Sequence, residues 1–468
     1  MTTPQTFLEC DRGMVVAPAG CGKTELVARA VSVTSSGRQL VLTHTHAGVD
    51  ALRRRLRKYR VDVARYRVDT IAGFCLRLAA SFPSTSGLTD PRPSGPGWNA
   101  VYGAALRVIQ APIGQHVVRA SYSGLIVDEY QDCTQEQHQV VLALADVLPT
   151  RLVGDPLQGI FGFGGQRLVD WKQLREDFEE LSPLHEPWRW ASSNPDLGRW
   201  LLKARGPLTA SEPLDVSDAP VQVLDGSTRA KHVLACHRVA AGVGSVVAIR
   251  KWAKDAHATS QRLGGRFTSM EEMDCKDLQK FGHRLDSETG TQLVNCVIDF
   301  AKSCMTEVGQ HLSTTSKQLA QGRAPRARQG SVAFPAVATL AAIVERPDAG
   351  EIAIALQAIR RLPGTKVYRR ELFAEALRTV RSVGSGEYDT YADAAWSIRD
   401  HARHRGRRLD KRIISRTLLI KGLEFDHSLV LDPSEFDAKN LYVALTRGSS
   451  SLTVLTEGAD STLHYVGT

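Results

Sequence analysis

Residues 17–24 read APAGCGKT, directly after the apolar run Met14 to Val16 and directly before a helix-like stretch, Glu25 to Ala30. Strand, tight loop and helix are therefore required in immediate succession. Glycines at 20 and 22 let successive backbone N–H groups turn toward one point. The helix N-terminus adds its dipole there, and an ammonium and a hydroxyl follow in register. That is the layout of a phosphate-binding loop. Ala17, Pro18, Ala19, Gly20, Cys21, Gly22, Lys23 and Thr24 are thus the candidate cradle for a nucleoside triphosphate, with Lys23 at the β/γ-phosphates and Thr24 on Mg²⁺. The competing reading is a glycine-rich turn with a surface lysine.

A second motif weighs against that competitor. At Leu125 to Asp132, LIVDEYQD, an apolar strand ends in two adjacent carboxylates. Asp128 suits a metal held through its water shell, and Glu129 suits the base that orients and deprotonates an attacking water. Acidic residues at a strand end also serve as plain loop solvation. The upstream phosphate loop favours the catalytic reading.

At 468 residues, 43% hydrophobic and 23% charged, the chain has the length and composition of a globular protein of several domains. No apolar run approaches the roughly 20 residues of a membrane span, and the first residues lack the pattern of a signal peptide. A cytoplasmic enzyme with no membrane partner is expected. The eight cysteines are scattered without a CxxC pair, which reads as reduced thiols. The net charge of +9 is concentrated in Arg53 to Lys58, Arg323 to Arg328 and Arg403 to Arg412, and a polyanionic partner such as nucleic acid follows. Solvated helix faces are the alternative for each run taken singly.

From Gly13 to Val153, short apolar segments alternate with helical ones: MVV, then Leu40 to Thr43, Leu125 to Val127 and Arg151 to Gly154 read as buried parallel strands. Ser81 to Gly97, rich in Pro, Ser and Gly, reads as a loop. A second series follows Trp188, with strands at Val221 to Leu224 and Ser245 to Ile249, then a helical, charged stretch from about Glu271 to Arg408. The strand signal resumes at Leu418, and Leu429 to Asp432 and Ser451 to Leu455 complete a second α/β unit.

Taken in order, these motifs resemble those of the UvrD/Rep/PcrA-like helicases of superfamily 1. APAGCGKT is similar to the family's phosphate loop, LTHTHAGVDALRRRL (Leu42 to Leu56) to its single-strand-contacting segment, DTIAGF (Asp69 to Phe74) to the threonine-bearing one, and DEYQD to DExQD. VGDPLQGIFGF (Val153 to Phe163) resembles the segment linking γ-phosphate sensing to DNA contact, which implies Gln158 as sensor and Phe163 as a base-stacking ring. Core packing is the alternative for both Phe161 and Phe163, and it is the reading adopted for Phe161. LHEPWRW (Leu184 to Trp190) resembles the family's LxxNYRS, which implies Trp188 on the adenine and Arg189 at the γ-phosphate. KGLEFD and LYVALTRG imply Glu424 near the ribose and Arg447 as a second γ-phosphate arginine. Departures are Gly164 where the family carries arginine, Leu418 where it carries histidine, and Gln5, which sits too close to the loop to match the adenine-reading glutamine.

The resemblance implies an α/β fold of two RecA-like P-loop NTPase lobes with inserted, mainly helical subdomains. Residues 1–180 form the first lobe, with a small insertion at about 76–120. Residues 181–264 and 406–468 form the second, around a helical insertion at 265–405. ATP and Mg²⁺ are the implied cofactors, and single-stranded DNA and tailed duplex the implied partners, with Thr45, Arg53, Thr70 and Phe163 as DNA contacts. Thr45 and Thr70 read equally well as strand-end caps. The implied activity is ATP-driven 3′ to 5′ movement along DNA with unwinding. A DNA-stimulated ATPase that gates or positions a partner nuclease, with little unwinding of its own, is the alternative, a repair protein is a further candidate partner, and an RNA-directed enzyme is a third reading.

Overall fold

The computed structural model describes residues 2–34, 37–90, 93, 97–162, 167–272, 275–405 and 409–467, with the backbone alone for 402–405. Six strands form a first sheet: β1 (Arg12–Val16), β2 (Gln39–Thr43), β3 (Tyr66–Thr70), β4 (Gly124–Val127), β5 (Thr150–Gly154) and β6 (Glu179–Leu181). Their order is β3-β2-β4-β5-β1-β6, and every neighbouring pair is parallel. Successive side chains of the inner strands enter opposite cores. Met14, Leu40, Leu42, Leu125, Val127 and Leu152 face one, and Val15, Val41, Ile126 and Val153 the other. Burial on both faces is why β2, β4 and β5 are buried at every position around apolar centres, whereas the edge strand β3 alternates.

The chain then passes through β7 (Leu214–Asp215) into a second parallel sheet. It contains β8 (Gln222–Asp225), β9 (Val246–Arg250), β10 (Thr268–Ser269), β11 (Arg412–Arg416), β12 (Phe425–Leu431) and β13 (Gly448–Thr456), in the order β10-β11-β9-β12-β13-β8. β14 (Thr462–Leu463) pairs antiparallel with β7. This sheet too is covered on both faces, with Val247, Ile249, Ile413 and Val430 on one side and Val246, Ala248, Ile414 and Leu429 on the other.

Two helical stretches interrupt the sheets. One runs from helix Ile71–Ser81 to helix Pro112–Ser121, between β3 and β4. The other runs from Lys276–Ser287 to Tyr391–Arg405, between the adjacent strands β10 and β11, and has a core of its own in which the Phe281 and Phe300 rings stack 4.0 Å apart. Its entry and exit are tied by buried ion pairs. Arg369 pairs with buried Glu271 and Arg399 with buried Glu375, while the more exposed Asp277 and Glu371 add a second carboxylate to each arginine.

Two local expectations change. The strand placed at Leu418 lies earlier, as β11, because Ile413 and Ile414 pair with both β10 and β9, while Thr417–Ile420 is a single helical turn. The loop at Ser81 to Gly97 contains a helical turn, Pro83–Ser86. Its proline pre-sets φ at the start, and Gly87, at φ +59°, closes it.

Candidate functional site

β4, β5 and β1 are neighbours, so the residues that follow their C-terminal ends meet at one point, the usual place for a ligand in a parallel sheet. After β1 the loop turns through Gly20, at φ +71°, and Gly22, at φ +89°, before helix Lys23–Val33 begins. Glycine at 20 has a second cause. A Cβ there would lie 2.5 Å from Cζ3 of Trp190 and 2.9 Å from Cβ of Arg189, which the segment after β6 lays against the loop. The Arg189 N–H donates to the Gly20 carbonyl at 3.2 Å. Any side chain at 20 would push the two segments apart.

Lys23 is buried and donates through Nζ to the Ala17 carbonyl at 2.8 Å. Thr24 Oγ1 lies 3.4 Å from Asp128 Oδ2. Burial pushes the Asp128 carboxyl up to about 7, and the neighbouring Glu129 adds to that rise. For Glu129, burial works in the same direction, but Lys23 and Lys421 outweigh it and hold this carboxylate below its ordinary value. The two adjacent carboxylates are thus pushed in opposite directions, Asp128 up and Glu129 down. Among the described residues no group of three or more His, Cys, Asp or Glu side chains gathers to hold a metal by itself. Thr24 and Asp128 fit a hard divalent cation that draws its other oxygen ligands from phosphate and water.

Glu129 occupies the left-handed backbone region at φ +58°, unusual for a non-glycine and of order 1–3 kcal/mol in cost. Neighbours hold it there. Its carbonyl accepts from Asp132 N–H at 3.1 Å, and its carboxylate accepts from Gln131 Nε2. Gln158 Nε2 donates to the buried Asp155 at 2.8 Å.

The second sheet supplies the opposite wall. Arg189 donates through Nε to Glu424 at 2.9 Å and through Nη1 to the Thr446 carbonyl at 2.7 Å. Arg447 is fully buried, with Nε on the Val443 carbonyl at 2.8 Å and Nη1 on the Leu423 carbonyl at 3.1 Å. Burial brings Arg447 down to about 9, with Arg189 contributing. Lys421 crosses between the walls. It donates to Asp132 and to the Gln158 carbonyl, and its ammonium lies 4.9 Å from the centre of the Phe161 ring. Phe161 is half-buried there and lines the cavity, so it does not take the core position expected from the sequence.

Between the walls lies a cavity of about 780 Å³, lined by Lys23, Thr24, Asp128, Glu129 and Gln158 on one side and by Trp188, Arg189, Glu424 and Arg447 on the other. Ala19 to Gly22 line it as well; Ala17 is buried behind them and Pro18 falls outside the lining. Trp188 is 65% exposed, a free ring face at the mouth, whereas Trp190 is buried with Nε1 donating to the Gly448 carbonyl at 2.7 Å. Two tryptophans two residues apart thus divide the work between an open face and an anchor.

The candidate DNA contacts gather less closely. Thr45 and Thr70 each cap a helix, accepting from Gly48 N–H at 3.0 Å and Gly73 N–H at 2.9 Å; Thr45 is exposed and Thr70 buried. Arg53 is exposed and reaches the Val68 carbonyl at 3.1 Å. Phe163 and Gly164 lie outside the described residues, as do the side chains of 402–408 in the third basic run. Sequence reasoning missed Arg205, Tyr442 as a bonding group and Asp155, all of which bond within or behind this site.

Residues 98–179 match the UvrD/REP helicase N-terminal domain. The ATP-dependent DNA helicase srs2 of Schizosaccharomyces pombe is 35% identical over 74 residues, which is 16% of this chain and 8% of that relative's length. Among solved structures, the Arterivirus nonstructural protein 10 (helicase) aligns at TM-score 0.35 and 10% identity, over 97% of this chain and 62% of that one. A complex of that helicase with DNA aligns at TM-score 0.28 and 16% identity, over 56% and 54%.

Proposed function

We propose, for a chain that is UvrD-like and of superfamily 1, that it is an ATP-dependent DNA helicase or translocase moving 3′ to 5′, with two RecA-like lobes closing on Mg·ATP. The carrying observation is the shared cavity. One wall brings an ammonium, a hydroxyl and two carboxylates, and the other brings two arginines and an open aromatic face.

In this reading Ala19 to Thr24 cradle the phosphates, and Trp188 stacks on the adenine while Glu424 meets the ribose. Thr24 and Asp128 hold Mg²⁺, which supplies charge neutralisation at the phosphate oxygens. Glu129, kept ionised by Lys23 and Lys421, takes the proton of the attacking water. Gln158 orients that water. Arg189 and Arg447, carried by the other wall, stabilise charge on the transferring group, so hydrolysis responds to lobe closure. Closure and reopening then ratchet one lobe past the other along a single strand held on their outer faces by backbone contacts near Thr45, Arg53 and Thr70 and by stacking on Phe163.

The test is ATP turnover with and without single-stranded DNA, beside displacement of a labelled strand from a duplex with a 3′ tail. Stimulation with ATP-dependent displacement is expected. Turnover indifferent to DNA would remove the coupling on which the reading depends.

A further inference from the structure

Asp155 follows β5 with its side chain fully buried, and it collects donors from three directions. Leu157 N–H donates to Oδ1 at 3.3 Å, while Gln158 Nε2 and Arg205 Nη1 each donate to Oδ2 at 2.8 Å. The same Arg205 nitrogen donates to the Tyr442 hydroxyl at 2.9 Å, and that hydroxyl accepts from the Ala19 N–H of the phosphate loop at 3.2 Å. On its other side, the Asp155 N–H donates to Gln131 Oε1 at 2.9 Å, and Gln131 Nε2 reaches Glu129. One chain of bonds therefore runs from Glu129 through Gln131, Asp155, Arg205 and Tyr442 to the loop backbone.

Arg205 begins helix Arg205–Ala210, in the connection that leads from the first sheet to the second. Tyr442 stands on helix Ala438–Leu445, just before Arg447, and the Arg205 guanidinium covers its ring at 5.1 Å. Among the described residues, the other side-chain and N–H partners of Asp155 are Gln131, Leu157 and Gln158, in the turns that follow β4 and β5. Arg205 is thus the member that ties Asp155 to the wall carrying the arginines.

We infer that Arg205 is a positioning residue for hydrolysis. It fixes Asp155, and through Asp155 both Gln158 and the Gln131 to Glu129 contact, in register with the phosphate loop and with the Tyr442 helix. The inference rests on the ATP-hydrolysis reading above. Its physical ground is the sensitivity of catalysis to placement, where a displacement of about 1 Å at the reacting groups costs on the order of 100-fold in rate. A planar guanidinium can hold Asp155 and Tyr442 at once while stacking on the ring, and an ammonium on a flexible stem holds that geometry less well. A purely structural Arg205 would instead lower the folded fraction and leave the turnover of each folded molecule unchanged.

The experiment uses the full chain with Arg205→Gln, Arg205→Lys and Tyr442→Phe. It measures thermal unfolding, binding of a fluorescent non-hydrolysable ATP analogue, and single-turnover ATP hydrolysis with oligo(dT). For Arg205→Gln the expected result is a fall of about 100-fold in the DNA-stimulated rate, with analogue affinity within about threefold of the parent. Arg205→Lys should recover part of the loss. Tyr442→Phe keeps the Arg205 to Asp155 pair and should fold even where Arg205→Gln does not; it frees the Ala19 N–H and should slow hydrolysis about tenfold without weakening analogue binding. Parental rates in folded Arg205→Gln or Tyr442→Phe overturn the positioning role while leaving the ATP reading intact. A parent chain that neither binds the analogue nor turns over ATP overturns that reading and the positioning role together.

Discussion

Nε and Nη2 of Arg189 both lie against Oε1 of Glu424, at 2.9 and 2.7 Å, while Nη1 of the same guanidinium donates to the Thr446 carbonyl at 2.7 Å. Three nitrogens are thus fixed by groups of the second sheet, and the arginine reaches the cavity already oriented. Lysine could not reproduce this fork. Arg189→Lys and Arg189→Ala should both lower kcat, the alanine variant by about 10³-fold, the lower end of what arginine fingers contribute. Binding of an ATP analogue should change far less. A kcat within a few fold of the parent would remove Arg189 from transition-state stabilisation.

Glu129 has the environment of a base rather than of a metal-bound acid: two lysines keep it ionised while Asp128 beside it is pushed up. Glu129→Gln should cut hydrolysis by about 10²–10⁴-fold and leave the fold intact, since its contact to Gln131 has an amide counterpart. Lys23→Ala should abolish turnover as well, and it should also weaken nucleotide binding. Circular dichroism beside single-turnover kinetics checks both variants. Full activity in Glu129→Gln would rule it out as the base.

Phe163 is argued from the sequence motif alone. If its ring stacks on a base, Phe163→Ala should reduce stimulation by single-stranded DNA about tenfold or more, given about 1–3 kcal/mol per stacked base. Basal turnover should barely move. Equal loss of both activities would point to packing instead.

The parts of the molecule legible from the sequence were those with a local cause. Glycines at 20 and 22 are demanded by positive φ, and the apolar runs before Ala17 and Asp128 are strands because β1 and β4 are buried inside the sheet. β6 escaped notice because, as an exposed edge of three residues, Glu179–Leu181 carries no apolar pattern. Arg205 was invisible for a different reason. Its partners stand 50 residues upstream and 237 downstream, and only the tertiary fold brings Asp155 and Tyr442 to one guanidinium. Thr45 and Thr70 carried two readings in the sequence, and the cap geometry accounts for both hydroxyls whatever else those residues touch.

His257 gives a pH dependence of stability. Its Nδ1 meets Ser269 Oγ at 2.7 Å, and burial pushes it down to about 4, with Arg369 and Arg416 adding to the effect and Asp277 and Glu272 opposing it. Below its ordinary value near 6.5 the unfolded chain takes up a proton that the folded chain refuses. The contribution is therefore complete above about pH 6.5 and is lost as pH falls toward 4, by roughly 2–3 kcal/mol. His257→Gln should flatten this part of the profile. Urea midpoints at pH 7.5 and 4.5 for parent and variant check it, and identical differences in the two proteins would exclude His257 as the cause.

Glu271 and Arg369 join the second sheet to the helical insertion, with side chains 1% and 6% exposed and bonds from Nε at 2.8 Å and Nη2 at 2.5 Å. Breaking one side of such a pair leaves an uncompensated buried charge. Arg369→Ala should cost about 3–5 kcal/mol, whereas replacing both residues with apolar ones of similar volume, Arg369→Met with Glu271→Leu, should cost much less. Asp277, 53% exposed, loses a partner in either variant and should matter little, because water replaces it. The order of urea midpoints, parent near the double variant and both well above Arg369→Ala, separates a desolvation penalty from simple loss of packing. Equal destabilisation in single and double variants would instead assign the joint to the shape of the two side chains.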